Sequence, residues 1–127
     1  MSLATIEPHS DNFPMGRPSR TVADRQLMRE VGVRLKWVRE ALQLSQAAIA
    51  EKVGLHQTAW SLYERGLRFP DHFEVVRLAG KLQISIPYLM EARLEGVERE
   101  LAIRLAARHP ELVEPIGTAP RTGTAQP

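Results

Sequence analysis

Cysteine is absent from the 127 residues, which removes disulfides, thiol nucleophiles and cysteine-ligated zinc from consideration. Aromatic residues make up only 6%, so a core has to be built mainly from Leu, Ile, Val and Ala. No apolar run approaches the ~18 residues that a membrane span requires. The opening stretch from Met1 to Pro14 lacks the basic start and apolar block of a secretion signal. The expectation is a soluble, cytoplasmic protein with no membrane association. Catalytic signatures are missing as well. There is no phosphate-binding glycine loop and no nucleophile–base set, and His9, His56, His72 and His109 fall at no metal-ligand spacing. These absences point away from an enzyme and imply no cofactor, no metal and no small-molecule ligand.

What is present is a modest apolar content of 43% and a net charge of +2. The charge is unevenly spread. From Asp24 to Met90 there are ten Lys and Arg against seven Asp and Glu, while from Glu91 onward there are five against six. A mild positive excess in the centre is compatible with nucleic-acid binding but does not demand it. Residues 1–22 hold Pro8, Pro14 and Pro18, and residues 110–127 hold four prolines and two glycines without sustained periodicity. Both ends read as flexible tails. Gly16-Arg17-Pro18-Ser19-Arg20 is a short, weak match to the core of a minor-groove AT-hook, and an ordinary tail is the preferred reading.

Helical periodicity governs the middle. Leu27, Met28, Val31, Leu35, Val38 and Leu42 predict an amphipathic helix over Asp24 to Leu42. Trp37 falls off that stripe and is expected to be extra core or, failing that, a protein interface. Ser45 is placed to cap a short helix from Gln46 to Val53, which Gly54 ends in a left-handed conformation. A third helix is predicted from Gln57 to Arg65, stopping at Gly66. Asp71 and Glu74 have the spacing of a capping box for a fourth helix carrying Phe73, Val76, Leu78, Ala79 and Leu82. Ser85 can cap a fifth, with Pro87 in its first turn and Tyr88 and Leu89 turned to the core. Leu94, Val97, Leu101 and Leu105 then predict a helix over Leu94 to Arg108, supported by Glu95–Arg99 and Glu100–Arg104 pairs. That helix either packs on its own domain or forms a dimer contact. Strand signals are absent, so the fold class is all-α.

The segment Leu44 to Gly66, two short helices joined through Gly54, carries the functional signal. Ala50 is small where the helices must approach, and Ile49, Val53, Leu55 and Trp60 can fill the angle between them. Such a pair can lay its second helix in a major groove. Over Val31 to Met90 the chain resembles the lambda-repressor-like helix-turn-helix family, also described as the Cro/repressor or xenobiotic-response-element type. The residues that carry the resemblance are VGVRLKWVREALQLSQ, the AxAEKVGL run, the YERG end of the third helix, the RFP linker and LAGKLQISIPYLM.

The resemblance implies a five-helix DNA-binding domain over residues 23–92, followed by a C-terminal helix in 93–109. It implies a sequence-specific transcriptional regulator, a repressor, that binds double-stranded DNA as a homodimer. Gln57, Thr58, Ser61 and Leu62 are expected to reach base edges. Gln46, His56 and Arg68 are expected at the DNA backbone, where Arg34, Lys36 and Lys52 add salt-sensitive attraction. Arg39 and Glu64 match a structural ion pair between the first and third helices. Several residues depart from the family pattern. Leu62 is apolar at a usually polar position, His56 replaces a Ser or Thr cap, Ala48 replaces a capping acid, and Gln43 and Gln83 replace helix-ending glycines. Leu62, Trp37 and the weak net charge motivate an alternative, in which the fold serves as a protein-binding antiactivator or adaptor module.

Overall fold

The computed structural model of the chain describes residues 20–112. The two tails and most of the Gly16–Arg20 motif lie outside that range. Six α-helices form, with no strand among the described residues: α1 (Val22–Ala41), α2 (Gln46–Val53), α3 (Gln57–Glu64), α4 (His72–Leu82), α5 (Ile86–Glu91) and α6 (Arg99–Arg108), followed by a 3-10 turn at Pro110–Leu112. The fold is all-α, five helices plus one C-terminal helix. No helix among the described residues is long and apolar enough to cross a membrane.

Helix α1 starts two residues before the predicted position, because Thr21 and Asp24 form a reciprocal capping box. The Thr21 hydroxyl accepts from the Asp24 amide at 3.0 Å, and the Asp24 carboxylate accepts from the Thr21 amide at 3.0 Å. Those bonds hold the Asp24 carboxyl below its ordinary pKa. One face of α1 buries Met28, Val31, Leu35 and Val38, while Leu27 and Leu42 are half-buried at its ends. Gly32 sits where α1 crosses the end of α3. A Cβ there would stand 2.3 Å from the Tyr63 carbonyl oxygen, so only glycine lets the two helices meet.

The other helix ends follow from local chemistry. Ser45 caps α2 by accepting from the Ala48 amide, and Gly54 closes it at φ 77°. Gln43 and Gln83 both adopt left-handed conformations, at φ 60° and 59°, the strained geometry that a non-glycine residue in a helix-ending position entails. Ser85 caps α5 and also donates to the Glu95 carbonyl at 2.6 Å. At α4 the predicted capping box forms by half. Asp71 accepts from the Glu74 amide, but the Glu74 carboxylate accepts from the Tyr63 hydroxyl instead of reaching back. The α4 stripe also differs from expectation. Val75, Leu78 and Leu82 are buried, and Phe73 and Val76 face outward, because α4 is rotated to place the 75–78–82 line on the core.

The C-terminal helix is shorter than predicted. Gly96 at φ 81° interrupts it, and Glu98 caps the remainder by accepting from the Glu100 and Leu101 amides. Glu95 is therefore outside the helix and pairs with Arg93 at 2.9 Å rather than with Arg99; Glu100–Arg104 does form, at 3.0 Å. Leu101 and Leu105 are buried in the same core as α1–α5, so α6 packs on its own domain. Leu112, grouped by composition with the C-terminal tail, is buried there too. Trp37 is covered by the same segment, its ring stacked on His109 at 3.8 Å between centroids.

Candidate nucleic-acid interface

Helices α2 and α3 meet through Gly54 and Leu55, whose amide donates to the Ala50 carbonyl at 2.8 Å. Ile49, Ala50, Val53 and Trp60 are buried in the angle, which fixes the orientation of α3 by packing against α1 and α2. This leaves the first turn of α3 open. His56 occupies the N-cap position without a side-chain hydrogen bond, so no side chain occupies the amides there. A helix N-terminus with open amides favours a phosphate oxygen. Gln57 and Thr58 are exposed on that turn; Ser61 and Leu62, one turn on, are half-buried.

Beneath this surface lies a polar cluster centred on Glu64. Arg39 donates through Nε to Oε2 at 2.5 Å and through Nη2 to Oε1 at 3.2 Å. Trp60 Nε1 donates to Oε2 at 2.6 Å, and Gln46 Nε2 to Oε1 at 2.9 Å. The Glu64 side chain is only 5% exposed and that of Arg39 17%. Burial alone would raise the Glu64 pKa, but the hydrogen bonds from Arg39, Trp60 and Gln46 outweigh it and hold the carboxyl below its ordinary value. The carboxylate is thus charged, fully partnered and shared by α1, α2 and α3. Arg39 also donates to the Leu44 carbonyl at 3.1 Å, tying down the α1–α2 turn.

The basic residues divide into two groups. Lys36, Lys52 and Arg68 are exposed, and the Arg68 guanidinium stands 5.7 Å from the centroid of the Tyr63 ring. Burial pushes the Tyr63 hydroxyl pKa up, reinforced by its bond to Glu74; it is therefore a neutral donor. Arg34 departs from the expected role. It is mostly buried, donates to the Leu89 carbonyl at 2.7 Å and pairs with Glu30, which commits it to the α1–α5 contact rather than to a phosphate. Gln46 is likewise engaged, through its amide nitrogen, with Glu64.

Three contacts lie outside the sequence expectation: Trp60 and Gln46 on Glu64, and Tyr63 on Glu74. Trp60 and Glu64 are four apart, so their meeting on one helix face was a readable signal; the others join separate elements. Among the described residues no cluster of His, Asp and Glu has the make-up of a metal site.

Residues 30–86 match the family described as "Helix-turn-helix domain". The chain is 33% identical over 57 residues to an uncharacterized HTH-type transcriptional regulator, YqaE, of Bacillus subtilis, covering 45% of this chain and 49% of that protein. It is also 33% identical over 72 residues to the cryptic phage CTXphi transcriptional repressor RstR of Vibrio cholerae, covering 57% of this chain and 64% of that one. The matched part thus spans about half to two thirds of these relatives. No solved structure matches the chain. With the buried α2–α3 angle, the Glu64 cluster and the glycine turn between the two helices in place, residues 30–86 have the build of the helix-turn-helix domain that they match.

Proposed function

We propose that the protein is a sequence-specific DNA-binding transcriptional repressor that acts in the cytoplasm as a homodimer and lays α3 in the major groove. The observation that carries this is the open first turn of α3. Gln57 and Thr58 project from a helix whose position is fixed by packing and by the Glu64 cluster, and no side chain blocks its amides. Gln can pair bidentately with adenine, and Thr can bond a base edge or touch a thymine methyl. Ser61 and Leu62 extend the same face by one turn. Lys36, Lys52, His56 and Arg68 supply the phosphate contacts that position the helix. Gln46 contributes by fixing the start of α2 against Glu64 and by presenting its remaining acceptor. The DNA-reading unit is residues 23–92, with the C-terminal helix as its support. That one relative is named a transcriptional repressor supports the sign of regulation.

The protein-binding alternative draws on Leu62, Trp37 and the weak net charge of +2. Leu62 is half-buried, and Trp37 is stacked on His109, so neither offers an exposed apolar anchor on the α3 face.

The test is a fluorescence-anisotropy titration of the full chain against duplex from upstream of its own gene and against random duplex, across a range of salt. The expected result is tight binding to the first, a preference of at least about 10³ over the second, and a steep fall with salt. Equal, weak binding to both would count against the proposal.

A further inference from the structure

The outer face of α4 is apolar without an intramolecular reason. Phe73 is 76% exposed and Val76 58%, on the side opposite the buried Val75–Leu78–Leu82 line. Beside them an open groove of about 490 Å³ runs between α4 and α5, walled by Phe69, Val76, Ile86 and Met90, with Asp71 and His72 at its rim. Residues 73, 76, 77 and 80 share one helix face, and position 80 is glycine. A Cβ at Gly80 would meet nothing within 4 Å. Nothing in the described chain needs a glycine there, and glycine within a helix is destabilising relative to alanine. A missing side chain on an exposed apolar helix face suits close approach by a helix from outside.

We propose that a second copy of this chain docks on this face, α4 against α4 in antiparallel orientation about a two-fold axis near Val76. The inference rests on the dimeric reading above and gives it a location. Three features select a copy of the same chain. First, the face is self-complementary: an antiparallel two-fold arrangement sets Phe73 over the partner's Gly80, a projection over a gap on one and the same patch, as isologous contacts require. Second, charge is ordered along α4, with acidic Asp71 at its start and basic Lys81 near its end, and among the described residues neither is in an ion pair. Antiparallel apposition brings each Asp71 towards the partner's Lys81. Third, Phe73, Val76 and Ile86 leave on the order of 300 Å² uncovered, the size of the largest apolar patch on a typical monomer, which is often functional. A standard interface takes about 800 Å² per partner, a little over half of it apolar, so this face supplies much of the apolar centre. The groove involves no residue of α2 or α3, so docking leaves both free for DNA.

Sedimentation velocity of the full chain without DNA, across micromolar concentrations, tests this together with Phe73→Ala, Gly80→Ala and Gly80→Leu. The wild type is expected to pass from monomer to dimer, with dissociation about tenfold or more easier in Phe73→Ala and Gly80→Leu. Gly80→Ala should raise the melting temperature of dilute monomer while weakening the dimer, opposite movements that a purely structural glycine would not give. A wild-type dimer unmoved by all three substitutions overturns this face and leaves the dimeric reading standing. A wild type that stays monomeric, alone and on DNA, overturns both. A monomer destabilised by Phe73→Ala places a segment of its own chain in the groove, which also overturns the proposal.

Discussion

Replacing Glu64 by glutamine preserves shape and removes one charge from the centre of the α1–α2–α3 junction. In the native protein this carboxylate accepts four hydrogen bonds, two from Arg39 and one each from Trp60 and Gln46. Disrupting a buried ion pair costs about 3–5 kcal/mol. Arg39 retains some exposure and its bond to the Leu44 carbonyl, and glutamine keeps one acceptor, so the expected loss is nearer 2 kcal/mol. The pH dependence has a definite sign. The folded-state pKa of Glu64 is depressed, so its contribution is fully present above the unfolded value of about 4.3 and fades as pH falls through the folded value. Urea unfolding, followed by the fluorescence of Trp37 and Trp60, should show Glu64→Gln about 2 kcal/mol less stable at neutral pH, with the gap closing progressively in acid below about pH 4. Asp24 and Glu98, also depressed by their capping bonds, are common to both proteins and drop out of the difference. A variant as stable as wild type at neutral pH, or a gap that does not change with pH, would refute the reasoning.

Further outcomes follow from other parts of the fold. Gln83→Gly removes a left-handed strain worth ~1–2 kcal/mol against the extra entropy that glycine brings to the unfolded chain, ~0.4–1 kcal/mol; a net gain of roughly 0.5–1 kcal/mol should appear as a higher thermal midpoint. Leu105→Ala, at a fully buried position of α6, should cost about 2–5 kcal/mol in chemical denaturation, whereas a helix loosely attached to the domain would cost almost nothing. Gln57→Ala should lose on the order of 1–3 kcal/mol on a preferred duplex and little on random DNA; equal losses on both in anisotropy titrations would remove Gln57 from the base readers.

Much of the fold was legible because it rests on local signals. The α1 stripe, the serine cap and Gly54 of α2, the stop at Gly66 and the serine cap of α5 are all short-range features that hydrophobic period and turn chemistry expose. What escaped depends on competition between partners. Glu74 has the spacing of a reciprocal cap, but the Tyr63 hydroxyl, brought close by tertiary packing, takes its carboxylate. Thr21 and Asp24 form the complete box that the spacing predicts for α4, and they carry the same three-residue spacing. Gly96 breaks a periodic pattern whose apolar residues continue on both sides, so Leu94 and Val97 pack on the core without belonging to α6. Arg34 illustrates the limit for the candidate site. A basic residue on the first helix is counted as phosphate-facing from composition, and only the position of α5 reveals that its guanidinium serves the Leu89 carbonyl. The exposure of Phe73 and Val76 is similarly invisible, since both satisfy the helical period and only the rotation of α4 decides which line is buried.

The central claim is that α3 reads base sequence from its open first turn. Selection of bound duplexes from a random library by the 127-residue chain, repeated with a Gln57→Ala, Thr58→Ala double variant, tests it most directly. The account predicts that the wild type enriches two-fold-related half-sites about one helical turn apart, and that the double variant binds DNA but loses preference at specific positions within each half-site. Failure of the wild type to enrich any sequence, or an identical motif from the double variant, would contradict it.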